Sequence, residues 1–320
     1  MAADPLVTVL TAVRNGARYI RHAVESIRRQ SCDDWEHLIV DDASDDETPE
    51  IVASYMEADP RIRLLRHDVS AGPYAAANTG LASARGRYVV RLDADDVAPP
   101  ERLASQIAFF EAREGLEAVV GSWRWMDDDG SLGGVAGVHT RSPRVLRWSI
   151  CVLPGIVHST ACILRSSLEE LGGYPEYPTS ADLWLWCTLA RRGTLGVSSN
   201  VLVHYRRHGG QITSRRAESQ RDFGSLVVHG HLEALTGERW AVQEASALYG
   251  TGRWLDVPFE AGLSALDRWQ RLWSSDPELT AADRFELRRI SARVRLRHMR
   301  VNAGGMGQRL RSVASLVRAL

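Results

Sequence analysis

The sequence predicts an α/β protein: a mostly parallel sheet with helices on both faces, continued by a mainly helical C-terminal region. Three observations predict it. Over the first 120 residues, short β-branched runs alternate with segments whose apolar residues recur at helical spacing, the pattern of repeated β-α-β units. Two acidic clusters, Asp41-Asp42 and Asp93-Asp95-Asp96, stand where two of those runs end. From about Arg216 onward the chain is mostly helical in its spacing.

Taken in order, Val7–Val13 is an apolar, β-branched run and reads as a buried strand. Asn15-Gly16 turns the chain, after which Tyr19, Ile20, Ala23, Val24 and Ile27 recur on one helical face. His37–Val40 is a short strand that ends in Asp41-Asp42. Thr48 and Pro49 supply a cap and a first helical residue for Glu50–Glu57. Ile62–Leu65 is a third strand, Pro73–Ala84 a helix stopped near Gly86, and Tyr88–Leu92 a fourth strand. Pro100 opens a helix with Leu103, Ile107 and Phe110 on one face, and Ala118–Gly121 begins a fifth strand. Beyond it the pattern loosens. Trp123 and Trp125 share a strand face and read as core rather than as a sugar platform. Asp127-Asp-Asp-Gly130 reads as a hairpin turn, and His158–Leu164 and Val201–Tyr205 as strands. Ser180–Arg191 reads as a helix with Ser180 as its cap, and glycine-rich breaks are expected near Tyr249–Gly252 and Ala303–Gly307. The expected division is a catalytic domain over 1–215 and a helical region over 216–320.

Composition narrows the function. With 44% hydrophobic residues and a net charge of −1, the chain has material for a core and lacks the basic excess of a nucleic-acid binder, so no nucleic-acid partner is expected. No run of about 18 apolar residues suggests a membrane span. The opening Met1-Ala-Ala-Asp-Pro lacks the regions of a secretory signal, and the four cysteines are scattered without a C-x-x-C pair. Reduced thiols and a cytoplasmic location are the expectation. All 39 basic residues are arginine, which removes P-loop and Schiff-base chemistry, both of which need a lysine.

The stretch Tyr88-Val-Val-Arg-Leu-Asp93-Ala-Asp95-Asp96 carries the most chemistry. Three carboxylates within four residues repel one another and are costly in a buried site without cations. Oxygen ligands at a strand end suit Mg²⁺ or Mn²⁺, usually shared with substrate phosphates. The plainer alternative is an acidic surface turn before Pro99-Pro100. Ligands of open α/β sheets bind beyond the carboxyl ends of the strands, so both acidic clusters are expected to line one crevice. A dinucleotide site at Asp41-Asp42 needs a glycine-rich turn after the first strand, and Val13-Arg14-Asn15-Gly16-Ala17 holds a single glycine.

In order along the chain, six motifs resemble glycosyltransferase family 2 over about residues 5–215. They are Val7-Thr-Val-Leu with Arg14-Asn15; Ile39-Val-Asp-Asp42-Ala-Ser44-Asp45; Asn78-x-Gly80 through Ala84-Arg-Gly86 to Leu92-Asp-Ala-Asp-Asp96; Val157-His158-Ser159 with Arg165 and Gly172-Gly173-Tyr174; Ser180-Ala-Asp182; and Tyr205-Arg-Arg-His208. The resemblance implies a GT-A fold and an inverting transferase. Its donor would be a nucleotide sugar, most simply UDP-linked, used with Mn²⁺ or Mg²⁺. By position it implies that Asp42 accepts a hydrogen bond from a pyrimidine base, with Arg14, Asn15 and Asn78 also on the donor. Asp93 would orient backbone or donor sugar, Asp95 would hold the ribose or metal shell, and Asp96 would bind the metal bridging the diphosphate. His208 falls near the diphosphate or metal, and Asp182 at the general base. Three positions depart from the family pattern: Arg14 replaces an aromatic residue, Ala77 an arginine and Ala181 an acidic residue. A guanidinium also stacks on planar groups, so Arg14 leaves the nucleotide open.

The implied acceptor is a glycan, a lipid-linked or a small-molecule hydroxyl. Two rivals stay open. A non-catalytic nucleotide-sugar-binding protein would keep Asp42 and Asp96 without a base. A sugar nucleotidyltransferase would need a glycine-rich loop with arginine or lysine after the first strand, and none is found. His158 is given no role. The arginine-rich run Arg284–Arg300, followed by Leu310, Val313, Leu316, Val317 and Leu320, is a basic amphipathic end. It would lie on an anionic membrane, or dock on its own domain or on a partner subunit of a homo-oligomer.

Overall fold

β1 (Val7–Val13), β2 (Trp35–Asp41), β3 (Ile62–Arg66) and β4 (Tyr88–Arg91) pair in parallel in the order β3-β2-β1-β4. The computed structural model describes residues 4–138, 140, 142–153, 155–211, 216–253 and 257–301. The crossovers are α1 (Ile20–Arg28), α2 (Thr48–Ala58) and α3 (Pro73–Ser83). The chain steps twice one way and then returns across β1, so right-handed crossovers put α1 and α2 on one face and α3 on the other. Alternation along β1 agrees. Val7, Val9 and Val13 join Ile20, Val24, Ile27 and Val52 in one buried cluster. Leu10 and Val40 instead lie against α3 at Gly80, where an added Cβ would stand 2.2 Å from Leu10 Cδ1 and 3.0 Å from Val40 Cγ2. That glycine lets α3 lie close on the sheet.

Beyond α4 (Arg102–Glu111), β5 (Ala118–Met126) turns at Asp127–Gly130 into its antiparallel partner β6 (Leu132–Ala136). β5 also pairs antiparallel with β7 (Cys162–Leu164) and in parallel with the long β8 (Leu195–Arg206), and β7 closes onto β4. The result is an eight-stranded, mostly parallel sheet. Trp123 is buried in its core, and Trp125 packs edge-on against Trp123 and Tyr205. The expected strand His158–Leu164 is shorter than its apolar run: His158–Thr160 is a 3₁₀ turn, and only Cys162–Leu164 pairs. Thr48 lies inside α2 rather than capping it. Its hydroxyl donates to Asp46 and accepts from the Gly16 N–H, while Asp46 takes the Thr48 N–H.

The described residues within 1–138, 156–182 and 194–215 form one compact unit, and those within 139–155, 183–193 and from 216 onward form a second. The division is thus not a single cut at 215. The second unit holds α5 (Pro143–Ser149), capped by Ser142, and the helices α8 (Ala217–Thr236), α9 (Val242–Arg253), α10 (Phe259–Ser275) and α11 (Ala281–Val301). The first holds the short α6 (Arg165–Glu170) and the opening of α7 (Ala181–Arg192), whose remaining residues belong to the second. The expected break at Tyr249–Gly252 is absent. α9 runs through it, and Gly250 serves close packing instead, since a Cβ there would meet Val257 Cγ2 at 2.2 Å. The break expected at Ala303–Gly307 and the apolar residues Leu310–Leu320 lie outside the described residues. Leu287, Ile290 and Val294 of α11 are buried, and Arg295 pairs with Asp267 at 2.6 Å. The part of the basic run that is described therefore docks its apolar stripe within its own unit. No helix among the described residues is long and apolar enough to cross a membrane, and all four cysteines are free thiols.

Candidate active site

The acidic turn after β4 is built over two buried arginines. Asp96 donates its backbone N–H to the Asp93 carbonyl, closing the turn, and the Asp93 N–H is held by Ser159 Oγ at 3.0 Å. Arg91 and Arg102 are almost fully buried beneath it. Arg102 grips the Arg91 carbonyl at 2.7 Å, and an Arg91 guanidinium nitrogen lies 3.4 Å from Asp93 Oδ1. The cations that three clustered carboxylates demand are thus partly the protein's own. They do not suffice. Burial, with the nearby charges of Asp95 and Asp182, pushes Asp93 up to about 6 against the pull of Arg91 and Arg102. Burial also raises Asp96 well above the carboxylate range, with Asp95 and Asp93 adding to it. Asp96 Oδ1 accepts the Arg206 N–H at 2.9 Å, whereas buried Oδ2 accepts no hydrogen bond among the described residues.

Asp95 meets the end of β8. His208 Nε2 lies 2.8 Å from Asp95 Oδ2, and Arg206 Nε donates to the Asp95 carbonyl. The His208 ring packs 4.8 Å from the Tyr19 ring, which Arg206 covers from 4.7 Å. The Tyr19 hydroxyl and Arg18 both donate to Asp128 at the tip of the β5–β6 hairpin. These contacts brace His208 with residues from the β1–α1 loop and the hairpin.

Asp42, just past β2, is buried and organises the loop 67–72. Its Oδ1 takes the Ala71 N–H and His67 Nδ1, each at 2.8 Å; its Oδ2 takes the Ser70 hydroxyl at 2.7 Å and the Gly72 N–H at 2.9 Å. Burial alone would raise this carboxyl, but the four donors outweigh it and hold it below the usual range. His67 Nε2 is bonded in turn to Thr79 at 2.9 Å. A carboxylate offers about four lone-pair sites, and this one fills them from its own chain. Arg14 is exposed and donates to Ser70 at 3.1 Å. Asn15 sits at φ +56°, with its side-chain Oδ1 accepting the Asp45 N–H at 3.0 Å.

One face of α3 joins this loop to Asp182. Tyr74 and Asn78 are four residues apart and therefore share that face. The two polar atoms of the Asn78 amide take the Tyr174 N–H and C=O, both at 2.8 Å. Asn78 thus clamps the Gly173-Tyr174 turn, a different task from the donor contact expected of it. Gly173 is needed there: φ is +82°, and a Cβ would stand 2.5 Å from Asn78 Oδ1. The Tyr74 hydroxyl donates to Asp182 Oδ1 at 3.0 Å. Asp182 lies in the first turn of α7, where the helix dipole favours a carboxylate. Beside it, Tyr174 and His158 are bonded at 2.9 Å, with the Tyr174 ring 5.7 Å from Tyr74. Burial keeps His158 well below its ordinary value, with Arg91 adding to the effect.

Asp93, Asp95, Asp96, Asp182 and His208 therefore converge on the carboxyl-end side of β4, linked to Asp42 through loop 67–72 and α3. Among the described residues no three His, Cys, Asp or Glu side chains form a ready-made metal cage. The orphaned Asp96 Oδ2 and the adjacent Asp95–His208 pair fit a divalent ion that takes few protein ligands and the rest from a diphosphate. Tyr74, Tyr19, His67 and Arg102 escaped the sequence reading. Tyr74 and Tyr19 work through partners more than 100 residues away, Asp182 and Asp128, which only the fold shows; Arg102 and His67 have nearer partners, but nothing in their residue types marks those contacts. The one local signal was Pro73, which starts α3 and sets where Tyr74 stands.

The chain matches the model described as Glycosyl transferase family 2 over residues 8–172. It is 30% identical over 213 residues to the "Putative teichuronic acid biosynthesis glycosyltransferase TuaG" of Bacillus subtilis, covering 66% of this chain and 83% of that one. It is 43% identical over 115 residues to the "Succinoglycan biosynthesis protein ExoO" of Rhizobium meliloti, covering 36% of this chain and 32% of that one. The solved structure of S. aureus TarS 1-349 in complex with UDP-GlcNAc superposes with a TM-score of 0.60 at 16% identity, over 94% of this chain and 93% of that one. The mannosyltransferase PcManGT of Pyrobaculum calidifontis, in complex with GDP-Man and Mn2+, superposes with a TM-score of 0.56 at 20% identity, over 100% and 88%. The fold is thus the GT-A type that the resemblance implied, and the family match spans more than half of the residues. The chain belongs to glycosyltransferase family 2 and is a glycosyltransferase.

Proposed function

We propose that this protein moves a sugar from a nucleoside diphosphate sugar, UDP-linked, to an acceptor hydroxyl with inversion, and that Asp182 is the general base. The observation that carries the reading is the run of contacts joining Asp182 to the acidic turn: Tyr74 donates to Asp182 at 3.0 Å and packs 5.7 Å from Tyr174, Tyr174 bonds His158 at 2.9 Å, and the next residue, Ser159, holds the Asp93 N–H at 3.0 Å. Support for the donor comes from the solved TarS complex with UDP-GlcNAc, and for a glycan acceptor from the biosynthetic names of the relatives. We place the reaction in the cytoplasm, with a glycan or lipid-linked acceptor.

In this reading Asp182 takes the proton of the acceptor hydroxyl as its oxygen bonds to the anomeric carbon. The bond from that carbon to the diphosphate oxygen breaks, and its electron pair leaves with the nucleoside diphosphate. Attack from the side opposite the leaving group inverts the centre. Asp96, with Asp95 and His208, would hold a divalent ion, Mn²⁺ or Mg²⁺, which acts as a Lewis acid on the departing diphosphate. Arg91 and Arg102 hold the acidic turn from below, and Asp42 shapes the loop 67–72 that faces the donor. Arg14 and Asn15, exposed at the end of β1, stand on the same side.

The test is UDP release from UDP-sugars, with Mn²⁺ or with chelator. Asp182→Asn is expected to keep donor affinity and lose turnover by about 10²–10⁴-fold, the usual worth of a placed base. Asp96→Ala is expected to lose metal-dependent donor binding. Parental turnover in Asp182→Asn would refute the base assignment.

A further inference from the structure

We propose that Tyr74 is a positioning residue for Asp182, its hydroxyl holding one carboxylate oxygen so that the other faces the acceptor. The inference rests on the reading of Asp182 as base. The Tyr74 hydroxyl donates to Asp182 Oδ1 at 3.0 Å, which leaves Oδ2 as the carboxylate oxygen this contact does not occupy. A carboxylate free to rotate about χ1 and χ2 spends much of its time misaligned, and one fixed donor removes that freedom.

The tyrosine is itself held. Gly72, at φ +96°, gives its N–H to Asp42, and Pro73 then opens α3 with a fixed φ. One helical turn later Asn78 clamps the Tyr174 backbone with two hydrogen bonds. Two points on one face of α3 thus grip the segment from Tyr174 to Asp182, and Tyr74 is the one that reaches the reacting group. Its proton is secure: burial first, then the Asp182 charge, pushes the phenol well above its usual range, so it donates at any working pH. The packing around it explains why a phenol serves here. The Tyr174 ring lies 5.7 Å away and the His158 ring 6.4 Å away, so the tyrosine ring is braced by two others.

The experiment compares the full chain with Tyr74→Phe, Asp182→Asn and the double variant. It follows UDP release from whichever of UDP-GlcNAc, UDP-glucose or UDP-galactose the parent turns over fastest with Mn²⁺. Tyr74→Phe deletes one oxygen and keeps the ring packing, and its thermal midpoint and UDP affinity serve as checks on folding. The expected result is kcat lowered about 10- to 100-fold, of the order set by loss of alignment, with KM for the donor within about twofold of the parent. The double variant is expected to be no slower than Asp182→Asn alone, because the tyrosine acts only through that carboxylate. Parental kcat in Tyr74→Phe, or a raised KM with unchanged kcat, overturns the proposal. If Asp182→Asn is inactive in either of those cases, the base assignment stands and only the role of Tyr74 falls; if Asp182→Asn turns over like the parent, the base assignment itself has failed.

Discussion

Gly173 shows how a single residue sets the geometry of the candidate site. Its φ of +82° and the 2.5 Å approach of a Cβ to Asn78 Oδ1 leave no room for a side chain. Gly173→Ala is expected to lower unfolding free energy by about 1–3 kcal/mol, the usual cost of a strained backbone site. Asn78→Ala should cost a similar amount, because it strips partners from the Tyr174 N–H and C=O. Urea denaturation of both single variants and the double would show less than additive losses, since each breaks the same clamp. At this scale the residue types in the acidic turn were legible, because three carboxylates at a strand end are unusual in any sequence. The partners were not. Nothing near Asn78 in the chain points to Tyr174, and nothing near Tyr74 points to Asp182.

Strands and helices that bury one face were the most readable elements. β1 through β4 and α1 through α4 stand close to where periodicity put them, because burial on a sheet enforces the period. Short elements without a period were missed, namely α5, α6 and the 3₁₀ turn at His158. For α11 the charge pattern left a lipid surface or docking on its own domain open, and Leu287, Ile290 and Val294 are buried within the helical unit. Leu287→Ala is accordingly expected to cost about 2–5 kcal/mol, as deleting a buried leucine side chain does, and equilibrium denaturation would measure it. A value near zero would mean that this stripe is not packed in solution.

Across the whole molecule, each unit carries a buried neutral histidine. Burial presses His37 of the first unit down to about 3 and His231 of the second down to about 4, the latter against an Arg147 carbonyl that pulls it upward. Both values lie below the ordinary 6.5, so the unfolded chain takes up these protons first as pH falls. The stability they contribute is whole above about pH 6.5. It is lost toward pH 4 at about 1.4 kcal/mol per unit of pH for each group. His231 Nε2 bonds the Arg147 carbonyl and Nδ1 faces Arg191, so a neutral amide can stand in its place. His231→Gln is expected to flatten the loss of stability between pH 6.5 and 4, measured as the urea midpoint against the parent. Raised Asp93 and Asp96 work in the opposite sense but are common to both proteins and cancel in the difference. A screen of nucleotide sugars with Mn²⁺ and Mg²⁺ by thermal shift addresses the molecule as a whole. A true donor at 100 times its Kd should add about 2.7 kcal/mol to the folded state.

On the proposed donor site, the filled carboxylate at position 42 bears on any attempt to retarget this enzyme to another nucleotide. Replacing Asp42 would unhook four anchors at once and slacken the stretch from His67 to Gly72 before any preference could change. A mutational library aimed at new substrates would therefore keep Asp42 and vary its solvent-facing neighbour Arg14, whose side chain can be exchanged without dismantling the scaffold beneath it.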